Sequence, residues 1–504
     1  KKKKNDFWKK KNVPYLKPLP ILGNYGKHIL QKEYFGESVH KLCLQFPKAP
    51  YFGAFFGTEP VLVVQSPEVL KQIFTKDFYY FNGREVTKYA TREVITQNVF
   101  FAGDDMWKIK RQMLTPLFSS AKMKGMFNLI DSSCQTFEYM LDREIKNYDI
   151  IEAKDLIARY MMDCVTSCAF GVEANTMLNP KNNLFRIIAR EIFNSTNYNG
   201  IKLICRSIWP AIFYGLGFQY YPSTIQSFFT KLIMGVFEKR NFVPSTRNDF
   251  VDLLLNLKCK NVITIDSLKN FKSDTDEKFQ IEVNDELLLG QCLTFFGAGF
   301  ETSASTISFT LFELAKNPDV QKRAMEEVDE FLRRRGNKLD FECINELPYL
   351  EACVYETLRK YPVLGVLTRE VMEDYTLLDG LHLEKGLRVH IPVYSMHHNP
   401  EYFPEPHAYK PERFLPENRK NIERYTYLPF GEGPRMCIGQ RFSKLQMLPG
   451  LITFLKRYQV ELAHEMPENL ILDCRAIVTQ PRDQGLFLKI SNREGWEQRM
   501  FTRP

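Results

Sequence analysis

The residues best placed to do chemistry lie in one stretch, Phe430-Gly431-Glu432-Gly433-Pro434-Arg435-Met436-Cys437-Ile438-Gly439. Glycines and a proline punctuate it as a loop, and Phe442, Leu445 and Met447 predict a helix that begins near Gly439. A lone cysteine is thus presented at a helix N-terminus beside Arg435, where the helix dipole, backbone N–H groups and a guanidinium all favour the thiolate. Such a thiolate is either a nucleophile or a metal ligand. With no histidine paired to it, the ligand is favoured.

A second chemical signal is Glu301-Thr302, an acid and a hydroxyl that follow Gly297-Ala298-Gly299. Each helical glycine costs about 1 kcal/mol relative to alanine, so two here imply that something bulky approaches the backbone. Close helix packing is the competing reading. A third is Glu356 with Arg359, three apart on a helix that ends before Pro362. They share a face and can pair, with Arg413 as a further forked donor. A lone E-x-x-R is common on solvated helices, and only its order with Arg413 and Cys437 raises it.

These residues need elements to position them. Leu287 to Phe312 holds one charge, Glu301, in 26 residues. Asn284 suits the cap, Asp285 and Glu286 the first turn, and Asn317-Pro318 the end, which predicts a central helix of about 30 residues. An acid inside it carries a desolvation cost and needs a reason. Residues 50–76 read as short strands, 105–335 as long helices, and 363–415 as short strands and loops. The fold class expected is mainly α with a minor β part.

Ser207 to Thr230 carries no Asp, Glu, Lys or Arg over 24 residues. Pro210, Gly215, Gly217, Gln219 and Pro222 interrupt it too often for a membrane span. Its Trp209, Ile212, Phe213, Tyr214, Leu216, Phe218, Tyr220 and Tyr221 suit an interfacial loop among lipid headgroups, with a channel-lining or core loop as the alternative.

The 504 residues carry a net charge of +8 and are 44% hydrophobic, which excludes a disordered polymer and a collagen-like rod. Seven lysines and one acid, Asp6, fall in the first eleven residues, so most of the excess sits in that stub. Basic charge is not spread over a folded face, and nucleic acid is disfavoured. With Pro14, Pro18 and Pro20, residues 1–25 are expected as a basic, proline-rich linker behind a membrane anchor, a solvated tail being the alternative. Eleven cysteines without a C-x-x-C pair form neither a disulfide framework nor a zinc ribbon, which fits a reducing, cytosol-facing environment. No H-E-x-x-H occurs, and His397-His398 reads as a turn without chemistry.

The cysteine loop resembles the haem-binding loop of the cytochrome P-450 superfamily, F-x-x-G-x-R-x-C-x-G, at every fixed position. Further motifs follow the family's order: Trp107 with Arg111 resembles W-x-x-x-R, Ala298 to Thr302 resembles [AG]-G-x-[DE]-T, Glu356 to Arg359 resembles E-x-x-R, and Pro411 to Phe414 resembles P-E-R-F. The resemblance spans essentially the whole chain. It implies one catalytic domain over residues 26–504, with a large helical lobe and a small β lobe around haem b. Cys437 is then the iron ligand, with Phe430 and Gly439 in its loop, and Trp107, Arg111, Arg369 and Arg435 meet the haem carboxylates. Glu356, Arg359 and Arg413 become the structural network.

A thiolate ligand favours O–O cleavage, and Glu301 and Thr302 are the catalytic pair that delivers protons, a helix back-bond being the alternative for Thr302 alone. Substrate contacts are implied at Phe295, Phe296, Ala298, Val363 and Leu367, at Val478 and Thr479, and around 87–104 and 195–221. They suit a lipophilic small molecule. No G-x-G-x-x-G follows a strand, so electrons come from another protein. The resemblance implies NADPH-cytochrome P-450 reductase, with cytochrome b5 as a second donor. Lys108, Lys110, Arg441 and Lys444 offer a basic docking face. The loop and the A-G-F-E-T-S string are most similar to the microsomal insect branch that oxidises plant toxins and insecticides, which implies the endoplasmic reticulum membrane with the catalytic domain in the cytosol. Two rival functions share the haem: a reductase-independent isomerase or dehydratase, and a non-catalytic haem or lipophile sensor.

Overall fold

The computed structural model describes residues 6–502, apart from Asn248, Asp274, Glu468 and Gln484. The stretch expected as a linker does not hang free from Asp6 onward, while Lys1 to Lys4 lie outside the described residues. A short helix, α1 (Phe7–Lys10), plants a fully buried Trp8 in the β lobe. The Trp8 indole N–H donates to the Ala54 carbonyl at 3.0 Å. A Cβ on Gly53 would come within 2.3 Å of that ring, so the slot exists only because residue 53 has no side chain. Lys11 is tied down by Glu384 at 3.0 Å.

Two strands follow, β1 (Tyr51–Phe56) and β2 (Glu59–Val64), antiparallel with Phe52 opposite Val63. The strands expected over 50–76 stop at Val64, because Pro67 starts a helical turn that runs on to Lys76. The helical lobe begins with α2 (Asp104–Leu114), whose first turn carries Asp104 and Asp105, and α3 (Ser120–Asn147). A three-residue strand, β3 (Ile150–Glu152), leads into α4 (Ala153–Val165), and the Glu152 carboxylate caps α4 by accepting from the Lys154 and Asp155 N–H groups.

The uncharged stretch from Ser207 is mostly helical rather than a loop. It contains the end of α5 (Asn197–Ile208), all of α6 (Pro210–Gly215) and the start of α7 (Ser223–Lys239). Ile212, Leu216 and Phe218 are exposed while Phe213 is buried. Among the described residues no helix is long and apolar enough to cross a membrane.

The central helix α8 spans Asp285–Lys316, 32 residues, and the Asn284 side chain caps it by accepting from the Leu287 N–H at 2.8 Å. It is buried on nearly every side, which is why its sequence is apolar all round. It is followed by α9 (Pro348–Lys360), β4 (Leu367–Glu370), β5 (Arg388–Ile391), α10 (Gln440–Leu455), β6 (Tyr458–Leu462) and β7 (Phe487–Asn492). One sheet runs β1-β2-β5-β4, with Leu62 beside Val389 in the parallel pair and Arg369 opposite Val389 in the antiparallel one. A second runs β6-β7-β3 and ties the C-terminal strands back to the helical lobe. The architecture is mainly α with a minor β part, its largest core packed around α8. All eleven cysteines are unpaired.

The docking of Trp8 sets an expected outcome. Trp8→Ala lowers the unfolding free energy by about 3–5 kcal/mol, the usual cost of emptying a buried aromatic site, measured by denaturant unfolding.

Candidate active site

A cavity lies between α8 and the loop that precedes α10. The loop is built by its own backbone: the Cys437 N–H donates to the Phe430 carbonyl at 2.8 Å and the Met436 N–H to the Gly433 carbonyl at 3.0 Å. Gly433 has φ +72°, and a Cβ there would lie 1.9 Å from the Phe74 carbonyl oxygen, so only glycine fits. Cys437, Phe430 and Gly439 all face the cavity. The surrounding protein pushes the Cys437 thiol above its ordinary value, while the Gly439 N–H and the charges of Arg111 and Arg84 pull it down. The predicted stabilisation of the thiolate is therefore present but outweighed by desolvation. A metal ion reverses that balance, since it deprotonates a coordinating thiol outright.

Arg111, Arg369 and Arg435, which the resemblance sets at the haem carboxylates, line the same cavity, together with Trp107 and with Arg84, which no sequence motif singles out. Their donors reach only carbonyls: Arg111 to Met436 at 3.0 Å, Arg369 to Thr368 at 2.9 Å, and Arg435 to Phe100 at 3.3 Å. Buried nitrogens of Arg84, Arg369 and Arg435 have no partner among the described residues. Burial holds Arg369 down at about 9 and Arg84 at about 10, and Arg435 is lowered by burial and then by Arg84 and Arg369. Trp107 lies under Arg435, its ring centre 4.9 Å from the guanidinium carbon. Four guanidinium groups without a carboxylate make a site for a ligand with more than one anionic group. Among the described residues no group of three or more His, Cys, Asp or Glu could hold a metal ion. An ion at Cys437 thus has to bring its other ligands with it, as a porphyrin does. The residues present fit haem b: one thiol ligand, an apolar slot, and arginines for its carboxylates.

On α8 the two catalytic candidates part company. Thr302 lines the cavity, yet its hydroxyl donates to the Ala298 carbonyl at 2.7 Å, the back-bond that stood as the alternative. Glu301 does not line the cavity; it is 5% exposed and pairs with Lys154 of α4, Nζ to Oε1, at 2.6 Å. That pair is the reason for the acid. Gly299 also answers to packing as well as to the cavity, because a Cβ there would meet Val165 of α4 at 2.9 Å.

Phe295, Ala298, Val363 and Leu367 line the cavity as expected. Phe296 does not; it is fully buried among Phe229 and Phe300, with ring centres 5.6 and 5.0 Å away. Val478 and Thr479 also lie outside the lining, where the Thr479 hydroxyl bonds Tyr34 and the Pro362 carbonyl, both at 2.6 Å. Thr479 supports the cavity wall instead, its N–H donating to the Val363 carbonyl at 3.0 Å. Val99 and Phe100 contribute from 87–104, and no lining residue comes from 195–221.

Glu356 and Arg359 form a fully buried two-pronged pair at 2.7 and 2.8 Å, with Arg413 at 3.5 Å. Arg359 also donates to the His397 carbonyl at 2.9 Å. His397, assigned no chemistry from the sequence, accepts from the Leu428 N–H at 2.8 Å on Nε2 and donates to the Arg359 carbonyl at 3.2 Å from Nδ1. Burial, then the Arg359 charge, lowers it to about 3, so it is neutral. The basic docking face is smaller than expected. Lys110 is buried, donates to the Gln97 carbonyl at 2.8 Å and is lowered by burial to about 8. Lys444 is paired with Glu351 at 2.8 Å and the half-buried Lys108 donates to the Asp266 carbonyl at 2.6 Å, which leaves Arg441 exposed.

Comparison with known proteins follows the same lines. A family model described as Cytochrome P450 matches residues 13–487. The chain is 34% identical over 477 residues to Cytochrome P450 6k1 of Blattella germanica, covering 94% of this chain and 90% of the relative. It is 32% identical over 490 residues to Cytochrome P450 6B2 of Helicoverpa armigera (97% and 94% covered) and 32% over 491 residues to Probable cytochrome P450 6a14 of Drosophila melanogaster (96% and 95%).

Two outcomes are expected of the buried network. Glu356→Ala strands the Arg359 charge and costs about 3–5 kcal/mol, measured as a lowered unfolding midpoint. Because folded His397 stays neutral while the unfolded imidazole takes a proton, its share of stability is complete above about pH 6.5 and falls by up to about 1.4 kcal/mol per pH unit below that, toward its folded value. Unfolding free energies measured from pH 7 to pH 4 show this slope, and His397→Gln reduces it.

Proposed function

The chain belongs to the cytochrome P450 family, a haem-thiolate monooxygenase, and from that premise we propose that it oxidises lipophilic xenobiotics such as plant toxins or insecticides, drawing NADPH-derived electrons from a reductase. The observation that carries this is the cavity itself. Cys437 stands on one wall, Ala298 and Thr302 of α8 on another, and Arg84, Arg111, Arg369 and Arg435, none ion-paired among the described residues, line it as well. When bound, the haem supplies an iron whose thiolate ligand favours O–O cleavage.

The chain's own residues do the rest. Cys437 holds the iron, and Arg84, Arg111, Arg369 and Arg435 hold the carboxylates. Phe295, Ala298, Val363 and Leu367 present an apolar surface that excludes water and receives a lipophile without fixing its identity. The Thr302 hydroxyl, by releasing its back-bond to Ala298, places a proton at the cavity wall. Glu301, next in the chain to Thr302 and paired with Lys154 at 2.6 Å, is the acid that works with that hydroxyl.

Electrons arrive from NADPH-cytochrome P-450 reductase, with cytochrome b5 as a second donor, at a face that includes Lys108 and Arg441. The exposed Ile212, Leu216 and Phe218 support a membrane-facing surface on the endoplasmic reticulum, and the unpaired cysteines support a cytosolic catalytic domain.

The reduced carbon-monoxide difference spectrum tests the haem assignment. The wild type gives a strongly red-shifted Soret band and Cys437→Ser loses it; an unshifted wild-type band refutes the thiolate. With purified reductase, substrate-stimulated NADPH oxidation is expected for lipophilic toxins. Turnover without reductase would mark an isomerase or dehydratase, and no NADPH oxidation with any bound lipophile would mark a sensor.

A further inference from the structure

Beside the cavity arginines, in the β lobe, lies a buried polar chain. His390, fully buried on β5, hydrogen-bonds Glu85 through Nε2 at 2.5 Å and the Tyr25 hydroxyl through Nδ1 at 3.0 Å. Phe35 and Phe56 close around the imidazole, their ring centres 5.6 and 5.8 Å away. Burial pushes the Glu85 carboxyl up, but His390 and Arg388 more than offset it and keep the group charged.

Glu85 directly follows Arg84, and the two point to different places. Arg84 lines the cavity, lies 3.9 Å over the Phe100 ring, and keeps a buried nitrogen with no partner among the described residues. Adjacent side chains hold such divergent directions only if the backbone between them is fixed. The Arg84 N–H donates to the Thr87 hydroxyl at 2.9 Å and the Thr87 N–H returns to the Arg84 carbonyl at 3.2 Å. Val86, inside that turn, has φ 60° and ψ 18°, a left-handed conformation that a β-branched residue avoids. Strain of this kind persists only where the surroundings over-determine it. On one side the surrounding is β4, where the Glu370 N–H donates to the Gly83 carbonyl at 3.0 Å. On the other it is Glu85 with His390.

We propose that Glu85 and His390 are positioning residues of the cofactor cavity: their buried hydrogen bond clamps the strained turn at Val86 and so holds Arg84 against a carboxylate of the prosthetic group. Arg388 assists only through its charge, which favours the ionised Glu85 carboxylate. The inference rests on the haem reading of the cavity. Its signature is that Glu85 acts on haem only through Arg84.

The test is the rate at which the holoprotein releases haem to excess apomyoglobin, compared among wild type, Arg84→Ala, Glu85→Ala, Glu85→Gln and the Arg84→Ala/Glu85→Ala double variant. Losing one charge-assisted hydrogen bond corresponds to about a tenfold change. Arg84→Ala and Glu85→Ala are each expected to speed release by about that factor, and the double variant to release no faster than Arg84→Ala. Glu85→Gln still accepts from His390 and is expected to stay within about threefold of wild type. A merely structural role lowers the unfolding midpoint without this pattern. Wild-type release from Glu85→Ala, or multiplied effects in the double variant, overturns the proposal, as does unchanged release from Arg84→Ala. Should Glu85→Ala not accumulate as holoprotein, Glu85→Asp, which withdraws the carboxylate from His390 but keeps its charge, makes the same comparison. Failure of the haem reading is separate: it shows as an unshifted wild-type carbon-monoxide band.

Discussion

Glu356 and Arg359 carry opposite charges with no access to water, and two short bonds between them are what make both charges tolerable in the core. Removing either strands the other, which is why such pairs are costly to break even when they add little net stability. Here the pair does more than satisfy itself. Arg359 grips the His397 carbonyl, the His397 ring accepts from the Leu428 N–H, and two residues later the Phe430 carbonyl accepts from Cys437. The position of the thiol thus follows, bond by bond, from a pair on α9.

The treatment of charge elsewhere separates what folding needs from what a ligand needs. Glu301 sits in the largely apolar, buried helix α8, and its desolvation is met within the protein by Lys154. The arginines of the cavity are also desolvated, yet none of them forms an ion pair among the described residues. An unbalanced cluster of buried cations is tolerable when an anion joins it. The contrast marks the first as a charge the fold satisfies for itself and the second as a cluster shaped for an anionic ligand.

Much of this was legible in the residues. The ends of α8 are legible because a side-chain cap, early acids and a final Asn-Pro are local signals, and the cysteine loop because its glycines and proline mark a turn before a helix, although the close approach of Phe74 to Gly433 is not. The pair on α9 was legible because its partners stand one turn apart. Lys110 was misread as surface, although helical phase buries it beside Trp107 and Ile109. Phe296 and Phe295 look alike in sequence, and only the rotation of α8 sends one to the core and the other to the cavity.

Local signals sufficed for the family, the fold class, the cysteine motif and the short-range pairs, because helix caps, turn residues and i to i+3 contacts depend on residues close in the chain. Only the tertiary structure decided that Glu301 faces Lys154, that Trp8 is planted against Gly53, that His397 carries the network to the loop, and that Arg84 completes the ring of cations. These pairings join residues far apart in the chain, 31 apart for His397 and Leu428, 45 for Trp8 and Gly53, 147 for Glu301 and Lys154, and 351 for Arg84 and Arg435. Their geometry is set by how distant segments pack, and no local signal in the chain encodes which distant residue a side chain will meet.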